Sequence, residues 1–261
     1  MQIAPILYDR FNGRILQPKE PTTVEVDGLI ELPEGNQKIW RYMTYDKFAD
    51  LIQSRKLYCR RLDRLSDGLE GLLSTGNCWQ RSPQMQAIHN GYSIRENPDQ
   101  TIFQSALTRG DYFVNCWHIN NSESKTMWRL YAPSPESVVV ISTAGMLNSY
   151  ARFCMAIVSK VRYADFNCPR PDWLPWGPAL FKDLPYRIER EIRLIVPRGL
   201  FPQTNNNSDF LRIPVNATPL IGKVILHPHA SLGFRRTVRD LIQRHIPHVP
   251  LASSQISNRL W

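Results

Sequence analysis

The sequence predicts one α+β domain: short mixed or antiparallel strands in a split sheet, with peripheral helices. Three observations predict it. Strand-like and amphipathic helix-like runs alternate along the chain with no repeat period and no heptad series. No linker-like shift in composition divides residues 38–246. The 261 residues are 43% hydrophobic and 21% charged, an ordinary globular balance. A chain of that length buries a core without needing disulfides or metals.

Taken in order, residues 1–37 are rich in Pro, Gly and charge and read as an irregular lead-in with one hairpin around Val24–Ile30. Lys38–Met43 is a short strand. Thr44 then caps a helix whose Phe48, Leu51 and Ile52 recur at helical spacing. Leu57–Cys59 is a second short strand, Leu65–Gly71 a polar turn, and residues 76–97 a loop. Asn97-Pro98 opens a helix that Gly110 ends. Tyr112–His118 is a strand, and Ser122–Tyr131 a helix with Met127, Leu130 and Tyr131 on one side, stopped by Pro133 and Pro135. Ser137–Ser142 is an apolar strand and Thr143–Ala151 a helix. Cys154–Tyr163 and Tyr186–Val196 are long strands, with a loop at 167–178 between them. Leu211–Val215 and Val224–Leu226 are late strands. Ser231–Ile246 is an amphipathic helix with Phe234, Val238, Leu241 and Ile242 inward and its arginines outward. Residues 247–261 read as a tail.

No run of 18 apolar residues exists, so no membrane-spanning helix is expected. The start of the chain has no secretion-signal pattern. The five cysteines include no C-x-x-C pair, which points to buried thiols in a reduced, cytoplasmic setting. The formal charge of +9 fits a polyanion partner, either an anionic, phosphate-bearing ligand or nucleic acid; a solvated basic surface fits it equally. The chain contains no P-loop, no G-x-G-x-x-G, no G-x-S-x-G and no H-E-x-x-H, which argues against P-loop hydrolysis, serine-hydrolase chemistry and zinc proteolysis.

Two segments could carry chemistry. Asn115–Tyr131 joins a strand end to a helix start and concentrates Trp117, His118, Glu123, Ser124, Trp128 and Tyr131. Helix starts suit anions, and Trp128 and Tyr131 share a helix face at i, i+3; a core Trp pair and a core histidine fit the same pattern. In Tyr186–Ile195 the period of a strand places Glu189, Glu191 and Arg193 on one face, with the two carboxylates about 7 Å apart. Such a pair could stabilise a sugar cation, bind a hydroxyl or hold a metal; it could also be a charged edge. Arg41-Tyr42 at a strand end is a weaker signal, since Arg grips phosphate but is more often a surface charge. His227-Pro228-His229 lacks further ligands for a metal site, and no metal is expected.

The motif order resembles a large, mostly bacterial family classed as a domain of unknown function. The resemblance covers residues 38–230 and rests on Trp40-Arg41-Tyr42, Cys116-Trp117-His118, Glu123-Ser124, Met127-Trp128-x-x-Tyr131, Ile141-Ser142-Thr143, Val161-Arg162-Tyr163, Lys182 and Glu189-x-Glu191-x-Arg193. Ser66-Asp67-Gly68-Leu69-Glu70 departs from the family's N-D-P-x-E turn. A second resemblance, in motif order, is to ADP-ribosyltransferases, whose split sheet grips NAD. It implies NAD as substrate, Arg41 on the pyrophosphate, Trp128 or Tyr131 stacked on nicotinamide, Glu191 stabilising the ribose cation and Glu189 orienting the acceptor. His118 stands where Ser or Thr is more common. Tyr42, Trp117, Ser124 and Arg193 complete the expected ligand-binding set. The expected function is NAD-dependent ADP-ribosyl transfer or NAD glycohydrolysis, with nucleic acid as a possible acceptor and a bacterial defence role in keeping. Two rivals remain: nucleic-acid binding without catalysis, through the arginine-rich last helix, and a metal-dependent nuclease built on Asp67, Glu70, Glu189 and Glu191.

Overall fold

The computed structural model describes residues 7–9, 14–16, 30–72, 74, 109–154, 156–168, 176–200 and 208–256. The helix expected from Asn97, the 76–97 loop and all but Ile30 of the hairpin expected at Val24–Ile30 lie outside them. Leu7–Asp9 (β1) and Arg14–Leu16 (β2) form a small antiparallel ribbon instead.

Among the described residues nine strands form the main sheet. Lys38–Thr44 (β3) leads into helix Tyr45–Ser54 (α1), and Lys56–Arg61 (β4) follows. Tyr112–Ile119 (β5) precedes helix Lys125–Tyr131 (α2), and Ser137–Thr143 (β6) precedes helix Ala144–Phe153 (α3). The strand expected over Cys154–Tyr163 is broken into Ile157–Lys160 (β7) and Arg162–Ala164 (β8). β8 leaves the sheet to pair in parallel with Phe181–Asp183 (β9), just after the short helix Gly177–Leu180 (α4). Glu191–Pro197 (β10), Phe210–Pro214 (β11), the short helix Ala217–Leu220 (α5), Lys223–Leu226 (β12), helix Leu232–His245 (α6) and Leu251–Ser253 (β13) complete the chain.

β5 organises the sheet. β10 pairs antiparallel along one edge of it, from Tyr112↔Pro197 to His118↔Glu191. Its other edge is shared: β3 takes Ile119 and His118, while β4 takes Phe113 and Val114. The sheet therefore forks at β5, as the split-sheet expectation requires. β7 extends it beyond β10, β11 beyond β4, and β6, β12 and β13 beyond β3.

Side-chain alternation sorts the residues onto two faces. One face carries Phe113, Trp117, Ile192, Leu194, Ile39, Met43, Val138 and Val140, covered by α1, α3 and α6 in the main core. The other carries Val114 and Ile195 in one smaller cluster, and Trp40, Tyr42 and Val139 under α2 in another. The arginine-rich α6 thus covers the first face: Phe234, Val238, Leu241 and Ile242 are buried, and Arg236, Arg239 and Arg244 point to solvent.

Both ends of the described chain are more integrated than the sequence predicts. The Glu31 amide donates to Ser159 Oγ, and its carbonyl accepts from the Lys160 amide. Gly35 seats the start of α3, where the Gly145 amide donates to its carbonyl at 2.9 Å. A Cβ on Gly145 would lie 2.8 Å from that carbonyl oxygen, so backbone would have to shift. Gly145→Ala is therefore expected to cost about 1–3 kcal/mol, read as a lower denaturation midpoint at unchanged slope. At the other end, residues expected as tail form β13 and continue to Gln255, whose amide donates to Glu123 Oε2 at 2.6 Å.

Candidate functional site

The site lies on the second face, where β5 and β10 run side by side at the fork. The Ile119 amide donates to the Arg190 carbonyl, which makes the next pair, His118↔Glu191, a non-hydrogen-bonded one whose side chains stand close. Arg193 follows on the same face, two residues on.

The strand expected from Tyr186 begins only at Glu191. Leu184–Glu189 is a 3₁₀ turn, with Asp183 Oδ1 accepting from the Leu184 amide, Pro185 unable to donate to a ladder, and Arg190 left-handed at φ 43°. Glu189 is therefore off the strand, yet the turn returns its side chain to the same cluster.

That cluster is a buried ion network of three carboxylates and two cations. Arg193 is 0% exposed. Its Nε donates to Glu191 Oε2 at 2.7 Å, Nη1 to the Ala179 carbonyl at 3.0 Å, and Nη2 to Glu70. Lys182 Nζ lies 2.6 Å from Glu189, 3.4 Å from Glu191 and 3.9 Å from Glu70. Glu191 and the Tyr131 hydroxyl also lie close enough to Glu189 to act on its ionisation. Two cations cannot neutralise three carboxylates, and burial penalises the surplus charge. Burial pushes Glu70 and Glu189 above the usual carboxylate range, Arg193 and Lys182 only partly offsetting it at Glu70. Burial would raise Glu191 too, but Arg193 and Lys182 both contact it and hold it down to about 2. Glu191 is the carboxylate that keeps its charge. Its amide donates to the Tyr163 hydroxyl at 2.8 Å, fixing the start of β10.

His118 is 4% exposed, and its Nδ1 lies 2.6 Å from the Glu189 carbonyl. A carbonyl only accepts, so Nδ1 carries the proton and Nε2 the lone pair. Burial lowers its pKa despite that bond, which favours the neutral ring.

Tyr131 rises from α2 over Glu189 and is 42% exposed. Burial and the bond to Glu189 keep its phenol protonated. On the far side Tyr186 lies over Lys182, with Nζ 4.6 Å from its ring centre. Exposed Leu130, Leu184 and Ile188 border these tyrosines in sequence, and Arg187 and Arg190 are exposed on the 3₁₀ turn. A recess lined by Leu69, Glu70, Phe166, Phe181 and Lys182 opens onto the network.

Of the ten residues singled out in the sequence, the fold brings His118, Glu189, Glu191, Arg193 and Tyr131 together. Tyr42 supports them: its ring meets His118 edge-on at 6.4 Å and its hydroxyl accepts from the Ser124 amide. The other four are placed differently. Arg41 leaves β3 on the opposite face, its guanidinium 5.9 Å above the Trp117 ring, and burial lowers its pKa. Trp117 is in the main core, its Nε1 donating to Asn115 Oδ1. Trp128 is buried outright, edge-on to Tyr42 and His227, with Nε1 donating to Glu123. Its ring has no face open to a ligand, so of the two expected stacking residues only Tyr131 is available. Of the three residues expected on one side of α2, Met127 is buried while Leu130 and Tyr131 are exposed. Ser124 is the N-cap of α2, Oγ accepting from the Met127 amide. In the sequence Lys182 stands out only as a motif member and Glu70 only as a turn residue and part of the nuclease reading; no local signal marks the buried network that joins them. Asp67, the fourth residue of the nuclease reading, is an Asx turn, Oδ1 accepting from the Leu69 amide.

No protein-family model matches the chain, and no curated protein matches it. The domain-of-unknown-function resemblance therefore rests on its quoted motifs alone. Among solved structures the chain is similar to Thermus sp. 2.9 DarT in three complexes. With NAD+ the identity is 11% and the TM-score 0.39, over 86% of this chain and 98% of that one. With carba-NAD+ the values are 12% and 0.36, over 85% and 97%. With ADP-ribosylated ssDNA they are 12% and 0.36, over 86% and 96%. Superpositions this loose say nothing of substrate, so the functional reading stands on the chain's own residues.

Proposed function

We propose that this chain is an enzyme that splits NAD at its nicotinamide–ribose bond and transfers ADP-ribose to an acceptor, nucleic acid by preference and water otherwise. The observation that carries the reading is Glu191: a buried carboxylate held ionised by Arg193 and Lys182, in strand register with His118 and sharing Lys182 with Glu189. Loss of nicotinamide leaves positive charge on ribose, and a fixed anion stabilises that charge more in the transition state than in the ground state. Tyr131 supplies an aromatic face at the mouth for the leaving ring. Exposed Tyr131 and half-buried Tyr186 offer stacking surface for bases, with exposed Ile188, Arg187 and Arg190 beside them, the arginines for phosphates.

The nuclease reading loses its ground because Lys182 Nζ and the Arg193 guanidinium sit where a metal would have to bind the glutamates. Among the described residues no group of three or more His, Cys, Asp or Glu is arranged to hold a metal ion. Pure nucleic-acid binding through α6 leaves the buried network on the other face without a use.

Incubation with NAD, with single-stranded DNA, RNA or no acceptor, tests the proposal by chromatography of released nicotinamide and the mass of the oligonucleotide. Nicotinamide release with an ADP-ribosyl mass gain on the oligonucleotide is expected. Intact NAD under all three conditions overturns the reading.

A further inference from the structure

Acid–base chemistry at this site needs a group to receive the acceptor's proton. Glu189, the residue implied by resemblance, is already engaged: its carboxylate accepts from Lys182 Nζ at 2.6 Å. Within the group formed by His118, Glu189, Glu191, Lys182 and Arg193, one buried polar atom has no partner, His118 Nε2. A buried acceptor left unmade is unfavourable, and such atoms in native folds call for a reason, often a catalytic one. The lone pair is on Nε2 because the Glu189 carbonyl holds the proton on Nδ1. The same peptide turn thus takes away Glu189's carboxylate and sets His118's tautomer with its carbonyl.

We propose that His118 Nε2 is the general base that deprotonates the acceptor, an inference that rests on the ADP-ribosyl-transfer reading above. The acceptor's O–H or N–H bond breaks and its proton passes to Nε2. The freed electron pair forms the new bond to ribose C1′. The C1′–N bond breaks with its electrons going to the ring nitrogen, and nicotinamide leaves neutral. His118 then returns the proton to water. Glu191 stabilises the charge on ribose throughout and transfers no proton.

The charged and titratable groups around His118 are Glu189, Arg190 and Glu191 from the turn and β10, and Tyr42 from β3. Burial outweighs them and keeps the ring neutral below the ordinary histidine range. The transfer rate is therefore expected to be level through neutral pH and to fall only on the acid side.

His118→Asn isolates Nε2, because the Asn amide nitrogen occupies the Nδ1 position and still donates to the Glu189 carbonyl. Transfer to the oligonucleotide at pH 7 is expected to fall about 10²–10³-fold. NAD affinity by calorimetry should stay within about twofold, and the acid limb of the pH profile should vanish. His118→Ala, which leaves a cavity, should regain at least about tenfold in rate with added imidazole, rising with the imidazole base fraction. If wild type cleaves NAD but His118→Asn transfers within about threefold of it, or imidazole fails to rescue His118→Ala, the base assignment is wrong and the parent reading stands. If wild type leaves NAD intact, both fall together.

Discussion

Glu191→Gln is expected to remove about 10²–10³-fold of NAD turnover while leaving the protein folded and NAD binding nearly unchanged. The loss follows from the site: a Gln of the same shape still meets Arg193 but presents no negative charge to the ribose cation. The retained fold follows from charge counting. Three carboxylates face two cations in the wild type, Glu70, Glu189 and Glu191 against Lys182 and Arg193. The variant has two of each, so the surplus negative charge that burial penalises is gone. Thermal unfolding should shift by no more than about 1 kcal/mol equivalent. Nicotinamide release within threefold of wild type would remove Glu191 from the mechanism.

Arg193→Met should behave in the opposite way. It strands three largely buried carboxylates against one cation, at the point where the removed guanidinium was entirely buried. Breaking a buried ion network from the cationic side costs about 3–5 kcal/mol, and each kcal/mol lowers Tm by about 2–4 °C in a protein of this size. The pH dependence identifies the cause. In the wild type the Glu191 carboxylate is depressed to about 2, so its contribution is complete above its unfolded value and disappears as pH falls towards 2. Glu70 and Glu189 are raised, so ionising them works against folding as pH climbs above their unfolded values. Wild-type stability should therefore climb on the acid side and ease off above it. Arg193→Met should lose most of the acid-side climb, because the cation that depresses Glu191 is gone. A variant of wild-type stability across pH 2–7 would mean the network is neutral in the fold.

The helices were the most legible elements, because their apolar spacing and caps are local. Thr143 and Ser231 accept a capping hydrogen bond where their helices are expected to start, whereas Thr44, expected to cap α1, makes no side-chain bond, and α2 begins after Ser124 rather than at Ser122. The strand from Tyr186 was misread because its alternation of charges fits strand and turn alike, and the interruption at Pro185 and Arg190 is a matter of backbone conformation. The long strand from Cys154 was misread for a related reason. β7 and β8 are both extended, and only their different partners, β10 and β9, divide them. Trp128 and Tyr131 share a helix face, yet one is sealed and the other open, since a seven-residue helix buries only the side it lays on Tyr42 and Val139.

Alternation within β5 and β10 already assigned His118, Glu191 and Arg193 to one kind of position and Trp117, Ile192 and Leu194 to the other, because a strand's side chains can only alternate. Which face held the chemistry, and that His118 stands opposite Glu191 and not two residues away, depended on strand register and on what covers each side. Those are long-range properties: α6 and the main core claim one face and Arg41 with it, while β9 brings Lys182 and the six-residue turn after it brings Glu189 to the other. No local pattern encodes a pairing between residues more than 70 positions apart; the packing of the whole chain selects it.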